Sequence, residues 1–138
     1  MPASPSPVPA RTPETTLTAI GQVSIVAHDI PRATAFYRDA LGLPLLFEYP
    51  GLAFFNCGGV RLMLSGAETP EFDHRSSVLY FTVGDIGAAH ARLVAAGVPF
   101  DDEPHIVHRA GTTNLWMTFF RDPDQNVHAL MQNRPAEA

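Results

Sequence analysis

Two stretches of nine residues decide the fold of this chain: QVSIVAHDI at 22–30 and VLYFTVGDI at 78–86. The first alternates between two faces, as a β-strand does, and the second repeats its pattern with Asp-Ile in the same place. The two stretches lie 56 residues apart, which indicates an internal duplication. The sequence therefore predicts two modules of one kind.

An alanine-rich amphipathic segment follows each predicted strand, at 31–41 and at 87–96. Asp29 and Asp85 stand where a helix N-cap accepts backbone hydrogen bonds. Each segment ends at a glycine followed two residues later by a proline, which is a typical stop signal. One helix is therefore predicted after each strand.

Strand-like runs, not further helices, follow each predicted helix. They lie at 45–49, 52–56 and 60–65 in the first half and at 100–108, 115–120 and 127–131 in the second. Each half is therefore βαβββ, and the chain is of the α+β class. The modules are predicted at about 20–66 and 76–132, within one domain at 19–132.

Composition limits the partners and the compartment. The 138 residues carry 9 Lys and Arg against 14 Asp and Glu, so no basic field is available for nucleic acid or an anionic membrane. One cysteine excludes an internal disulfide, and no apolar run is long enough to span a bilayer. We expect a cytoplasmic protein with a disordered Pro-rich tail at 1–18 and a short tail at 133–138.

Two motifs complete a pattern that resembles a known family: AFYRDALG at 35–42 and FFRDPDQN at 119–126. Together with the strand that precedes Asp-Ile, they resemble the vicinal-oxygen-chelate superfamily. That group includes glyoxalase I, the bleomycin-resistance proteins, extradiol dioxygenases, fosfomycin-resistance enzymes and methylmalonyl-CoA epimerase. The resemblance implies a cupped eight-stranded mixed sheet with helices outside, and a homodimer.

Candidate ligand-binding residues are those that face the cup. Strand alternation assigns six of them, and the strand register of the family implies the last three: Gln22, Ser24, Arg61, Met63, Val78, Tyr80, Met117, Phe119 and Ala129. The lining is mainly apolar with a few polar groups, which is typical of a small-molecule pocket.

Metal-dependent members of the family bind a divalent ion through one side chain from each of four strands. The positions that match here are Gln22, Met63, Val78 and Ala129, and only the glutamine can ligate. A lone amide carries no charge to offset the dehydration of a cation. We therefore expect no cofactor and no metal site, with a divalent metal as the alternative.

Other polar residues leave alternatives open. Arg61 is suited to a ligand carboxylate or phosphate, or equally to an ion pair with Glu48 or another acid. His128 alternates out of phase with its neighbour and should lie under a helix. His105 and His108 should face opposite sides of a regular strand, so one of them is a candidate for the cavity rim. Cys57 is interpreted as a turn residue rather than as a nucleophile.

Two functions from different classes remain. The first is a metal-free binding protein that encloses a small organic molecule, as the bleomycin-resistance proteins do. The alternative is a lyase, isomerase or dioxygenase of the same superfamily, acting on a small oxygenated substrate. No catalytic residue is assigned.

Overall fold

A computed structural model describes residues 16–137 and confirms the two βαβββ modules. The first contains β1 (Gln22–Val26), α1 (Ile30–Ala35) with a π-helical continuation (Phe36–Ala40), β2 (Leu45–Tyr49), β3 (Leu52–Cys57) and β4 (Val60–Ser65). The second contains β5 (Leu79–Thr82), α2 (Ile86–Ala95), β6 (His105–Arg109), β7 (Thr113–Arg121) and β8 (Val127–Pro135). A short 3-10 helix (Pro70–Phe72) lies in the connection.

The eight strands are divided between two four-stranded mixed sheets, ordered β1-β4-β3-β2 and β5-β8-β7-β6. In each sheet the first strand is parallel to its neighbour and the other pairs are antiparallel. Met63 pairs with Ser24, and Ala129 pairs with Tyr80. Since Ser24 and Tyr80 are separated by the repeat of 56 residues, the duplicated frame is confirmed. The predicted single sheet is instead two sheets, one for each module.

Both helices begin at the predicted N-caps. The Asp29 carboxylate accepts from the backbone N–H of Arg32 at 3.1 Å, and the Asp85 carboxylate accepts from that of Ala88 at 3.0 Å. These bonds satisfy donors that the first turn of a helix leaves free.

The modules pack against each other through their helix sides. One core cluster is centred on Ile25, Tyr37 and Phe55, the other on Ile86 and Phe120. Both clusters are contacted by Phe36, Leu41 and Phe81, so the two cores are continuous. The opposite side of each sheet, which we call its cup face, carries the candidate ligand-binding residues.

Two strand boundaries in the structure differ from those predicted. Strand β6 begins at His105 and not at residue 100, because Pro104 has no N–H and the Asp102 carboxylate accepts the N–H of Phe119 at 2.9 Å. Strand β8 continues to Pro135, so the predicted tail at 133–138 is wrong for residues 133–135, which pair with β7.

Most of the predicted tail at 1–18 lies outside the described residues. Among residues 16–137, no helix is long and apolar enough to cross a membrane.

Candidate functional site

The cup face of the first sheet brings together four predicted site residues: Gln22, Ser24, Arg61 and Met63. Arg61 lies opposite Gln22 and donates from Nε to its Oε1 at 2.9 Å. The guanidinium carbon lies 5.0 Å from the centre of the Phe54 ring. The amide Nε2 of Gln22 lies 3.6 Å from the sulfur of Met63, the range of a weak hydrogen bond. The face thus offers one cation held over an aromatic surface.

The ion pair suggested for Arg61 and Glu48 does not form. Glu48 pairs with Ala53, which is buried in the core on the helix side. Arg61 pairs with Asn56, two residues from the cup-facing Phe54. Since side chains alternate along a strand, Glu48 and Arg61 lie on opposite faces of the sheet. The arginine is available to a ligand at the cup face.

The cup face of the second sheet carries four of the other site residues: Tyr80, Met117, Phe119 and Ala129. The fifth, Val78, directly precedes β5, which begins at Leu79 and not at the predicted residue 78. Ala129 pairs with both Tyr80 and Phe119 and is fully buried between them. The rings of Tyr80 and Phe119 meet edge to face, with centroids 6.1 Å apart. This face is an aromatic wall with one phenolic hydroxyl.

The two cup faces do not cover each other. Tyr80 is 49% exposed and Val78 39%, while Tyr49 and Phe47 of the first sheet are 58% and 40% exposed. Among the side chains of residues 16–137, no hydrogen bond or aromatic contact joins the two sets of site residues. The nine residues are therefore brought together as two groups rather than one.

A cavity of about 800 Å³ occupies one end of the first cup face. Ser24 and Met63 line it from the sheet, and Phe72 and His74 line it from the connection between the modules. The connection therefore covers part of the cup face. His28 holds it there, with Nε2 2.9 Å from Asp73 and Nδ1 2.9 Å from Asp124 of the second module.

The four positions that correspond to metal ligands in the family are divided between the two modules. Gln22 and Met63 are neighbours on the first face, whereas Ala129 and Val78 belong to the second module. Of the four, only Gln22 carries an oxygen ligand, and that oxygen already accepts from the Arg61 guanidinium. A cation would meet a fixed positive charge and no carboxylate, so this donor set does not fit a divalent metal.

The structure corrects the placement of His105 and His108. A β-bulge lies between Ile106 and His108, so His105 pairs with Met117 and His108 pairs with Leu115. Met117 and Leu115 are two residues apart on β7 and face the same side, and therefore both histidines face the cup. Sequence reasoning missed this because it assumed a regular strand.

A buried polar cluster lies on the opposite side of the second sheet. His128 is fully buried beneath the helix side, as predicted, and its Nε2 lies 2.8 Å from the hydroxyl of Tyr37. That hydroxyl donates to Asp122 at 2.7 Å. Burial raises the pKa of Tyr37 well above its usual value and lowers the pKa of His128 to about 4. Both rings are therefore neutral and structural.

Comparison of this chain with known protein families agrees with the duplicated fold. The family profile described as Glyoxalase/Bleomycin resistance protein/Dioxygenase superfamily matches residues 19–130. The chain belongs to this superfamily. The resemblance given by the 35–42 and 119–126 motifs is thereby confirmed.

Solved structures of the superfamily are similar over most of the chain. A lactoylglutathione lyase from Agrobacterium tumefaciens is 26% identical with a TM-score of 0.62, covering 86% of this chain and 96% of its own. TnmS3, an antibiotic binding protein from Streptomyces sp. CB03234, is 25% identical with a TM-score of 0.69, covering 89% of this chain and 100% of its own. The uncharacterized protein YraH from Bacillus subtilis is 28% identical over 77% of this chain and 91% of its own.

Proposed function

We propose that this protein binds a small organic molecule in the cup without a metal ion, and that it does so as a homodimer. The observation that carries the proposal is the Arg61 guanidinium, which is held by Gln22 over the Phe54 ring. An arginine so placed binds a carboxylate, phosphate or sulfonate while the ring beneath contacts an apolar body. The favoured ligand is therefore a small aromatic anion.

The homodimer is proposed because each cup face is open within one chain. A cup face that carries Phe47, Tyr49 and Phe54 on one sheet, or Tyr80 and Phe119 on the other, presents adjoining apolar rings. Contiguous exposed apolar surface of this kind marks an interaction site. The first cup face of one chain laid over the second of its partner would enclose all nine site residues in one cavity.

The relatives support both the proposal and its alternative. TnmS3 binds an antibiotic, which favours a sequestering role, whereas the lactoylglutathione lyase is an enzyme. The absence of a ligand set at Met63, Val78 and Ala129 favours the binding role, because these apolar side chains cannot polarise a substrate oxygen.

The test uses 8-anilinonaphthalene-1-sulfonate, a fluorescent aromatic anion, as the probe. Wild type should bind it saturably, and Arg61→Ala should weaken binding by about 1–3 kcal/mol through the lost charged hydrogen bond. The matched control is Arg38→Ala, since Arg38 is also exposed but pairs with Asp39 on the first helix. Equal affinity in wild type and Arg61→Ala would contradict the proposal.

A second variant tests the wall formed by the other module. Ala129→Phe places a ring where Ala129 is buried between Tyr80 and Phe119. This substitution should weaken binding of the probe by a similar amount through overpacking. Light scattering at micromolar concentration measures the oligomeric state, and a monomer that binds the probe fully would refute the homodimer.

The bulge in β6 favours one second candidate, a metal-independent acid–base enzyme. It places the imidazoles of His105 and His108 on the second cup face, where they are suited to move a proton on a bound substrate. This candidate predicts that turnover is lost in His105→Gln or His108→Gln, while binding of the probe is unchanged.

A further inference from the structure

A second cavity lies away from both cup faces, where the two modules meet on their helix sides. It measures about 400 Å³. Leu41 and Leu43 line it from the first module, and Phe81, Leu93, Phe120 and Leu130 line it from the second. None of the nine candidate ligand-binding residues lines this cavity.

The wall of this cavity carries a single charge. Arg92 of α2 lines the cavity, and its Nη2 reaches the first module, where it would lie 3.1 Å from a side-chain carbon added at Gly42. None of the lining residues is an acid. Within the part of the chain that the structure describes, Arg92 forms no ion pair. The cavity thus combines an apolar interior with one uncompensated cation.

We propose that this cavity between the modules binds an amphipathic monocarboxylate of the medium-chain fatty acid type. The alkyl chain occupies the apolar interior, and the carboxylate pairs with the Arg92 guanidinium. An uncompensated guanidinium favours an anion over a neutral head group, and the leucine and phenylalanine side chains favour an alkyl chain over a sugar or a nucleotide. This site is independent of the ligand proposed for the cup.

The site has a built-in reporter. Cys57, at the end of β3, lines the cavity and is the one cysteine of the chain. A ligand in the cavity should cover its thiol, whereas a ligand in either cup face should not. Burial raises the pKa of this thiol, so alkylation by iodoacetamide is followed at alkaline pH.

The experiment measures decanoate and decanol in parallel by calorimetry and by protection of Cys57. Wild type should bind decanoate about tenfold or more tightly than decanol, because only the carboxylate pairs with Arg92. Arg92→Ala should abolish that preference without weakening decanol, and Arg92→Lys should retain part of it. Saturating decanoate should slow the alkylation of Cys57 about tenfold or more in wild type, as expected for a thiol buried under a ligand.

Matched variants locate the site. Ala88→Trp fills the cavity from an exposed helix position and should abolish both binding and protection. Arg61→Ala removes the cup arginine and should leave the protection of Cys57 by decanoate unchanged. If decanoate fails to bind, or binds with equal affinity in Arg92→Ala and Ala88→Trp, the proposal is wrong. Loss of binding in Arg61→Ala instead would place the fatty acid in the cup. A decrease in oligomer size in Ala88→Trp, without any decanoate binding to wild type, would overturn the proposal and identify the cavity as a contact between copies of the chain.

Discussion

The hydroxyl of Tyr37 donates a hydrogen bond to the Asp122 carboxylate at 2.7 Å, although 85 residues separate them. Tyr37 belongs to the helix of the first module, and Asp122 begins the turn between the last two strands of the second. The other oxygen of Asp122 accepts the N–H groups of Asp124 and Asn126, at 2.9 and 2.8 Å. One buried carboxylate therefore shapes a turn in one module and holds the helix of the other.

Tyr37→Phe should lower the free energy of unfolding by about 1–3 kcal/mol, because His128 loses its partner and Asp122 loses a donor in a buried site. The ring itself stays in the core, so packing is nearly unchanged. Urea denaturation measures the effect. Tyr49→Phe is the control, since Tyr49 is 58% exposed, and it should change stability by less than about 0.5 kcal/mol. Equal effects of the two variants would refute a stabilising role for the cluster.

The buried His128 predicts a loss of stability in acid. Its folded pKa of about 4 lies below the ordinary value of 6.5, so the unfolded chain binds the proton first. Stability should therefore fall as pH drops from about 6.5 to about 4, by up to roughly 3 kcal/mol. His128→Gln should be less stable at neutral pH but should flatten this part of the profile. A variant profile as steep as that of wild type would assign the acid sensitivity to other groups.

The exposed His28 should contribute a pH dependence of stability of the opposite sign to that of His128. Hydrogen bonds to Asp73 and Asp124 raise its pKa above 6.5, so the protonated imidazole ties the connection between the modules to the second module. Its contribution is full below 6.5 and is lost as pH rises through the raised pKa. NMR titration should show this raised pKa in wild type and a lower one in Asp73→Asn. The difference in thermal unfolding midpoint between wild type and His28→Ala should accordingly shrink in alkaline solution. A difference in this midpoint that stays constant with pH would contradict the assignment.

The fold was predictable because its signals are local and occur twice. The duplicated strand with Asp-Ile, the N-cap at Asp29 and the glycine at 42 each act within a few residues, and the second module repeats them. Alternation also assigned Gln22, Arg61 and Tyr80 to cup faces, because neither β1, β4 nor β5 contains a bulge. Periodicity was thus sufficient wherever the strand was regular.

The rest depended on contacts between distant residues. No local signal marks Val107 as the extra residue of a bulge, and for that reason His105 and His108 were placed on opposite faces. No local signal marks Tyr37 as a member of a polar cluster, since its partners lie 85 and 91 residues away. The division of the strands into two sheets likewise follows from how the modules pack, which alternation within one strand does not encode.

A strained turn residue gives a prediction about the 122–126 turn. Gln125 has a φ of 67°, in the left-handed region that glycine adopts without strain. Gln125→Gly should therefore stabilise the protein by up to about 1 kcal/mol, while Gly97→Ala, at a φ of 90°, should destabilise it by a similar amount. Thermal denaturation compares the pair. A loss of stability in Gln125→Gly would show that the glutamine side chain contributes more than its backbone costs.

Replacing Gln22 by glutamate should not create a metal site. The Arg61 Nε lies 2.9 Å from the Gln22 oxygen, so the new carboxylate should pair with the guanidinium rather than with a cation. Even in the double variant Gln22→Glu, Arg61→Ala, the carboxylate faces the thioether of Met63 and no second oxygen or imidazole ligand among the four family positions. Equilibrium dialysis against Zn²⁺, Ni²⁺ and Mn²⁺ should therefore show no tight binding in either variant, and elemental analysis of wild type purified without chelator should show less than one ion per chain. One tightly held divalent ion in wild type that is lost in Gln22→Ala would overturn the metal-free proposal and make the lyase, isomerase or dioxygenase hypothesis the leading one.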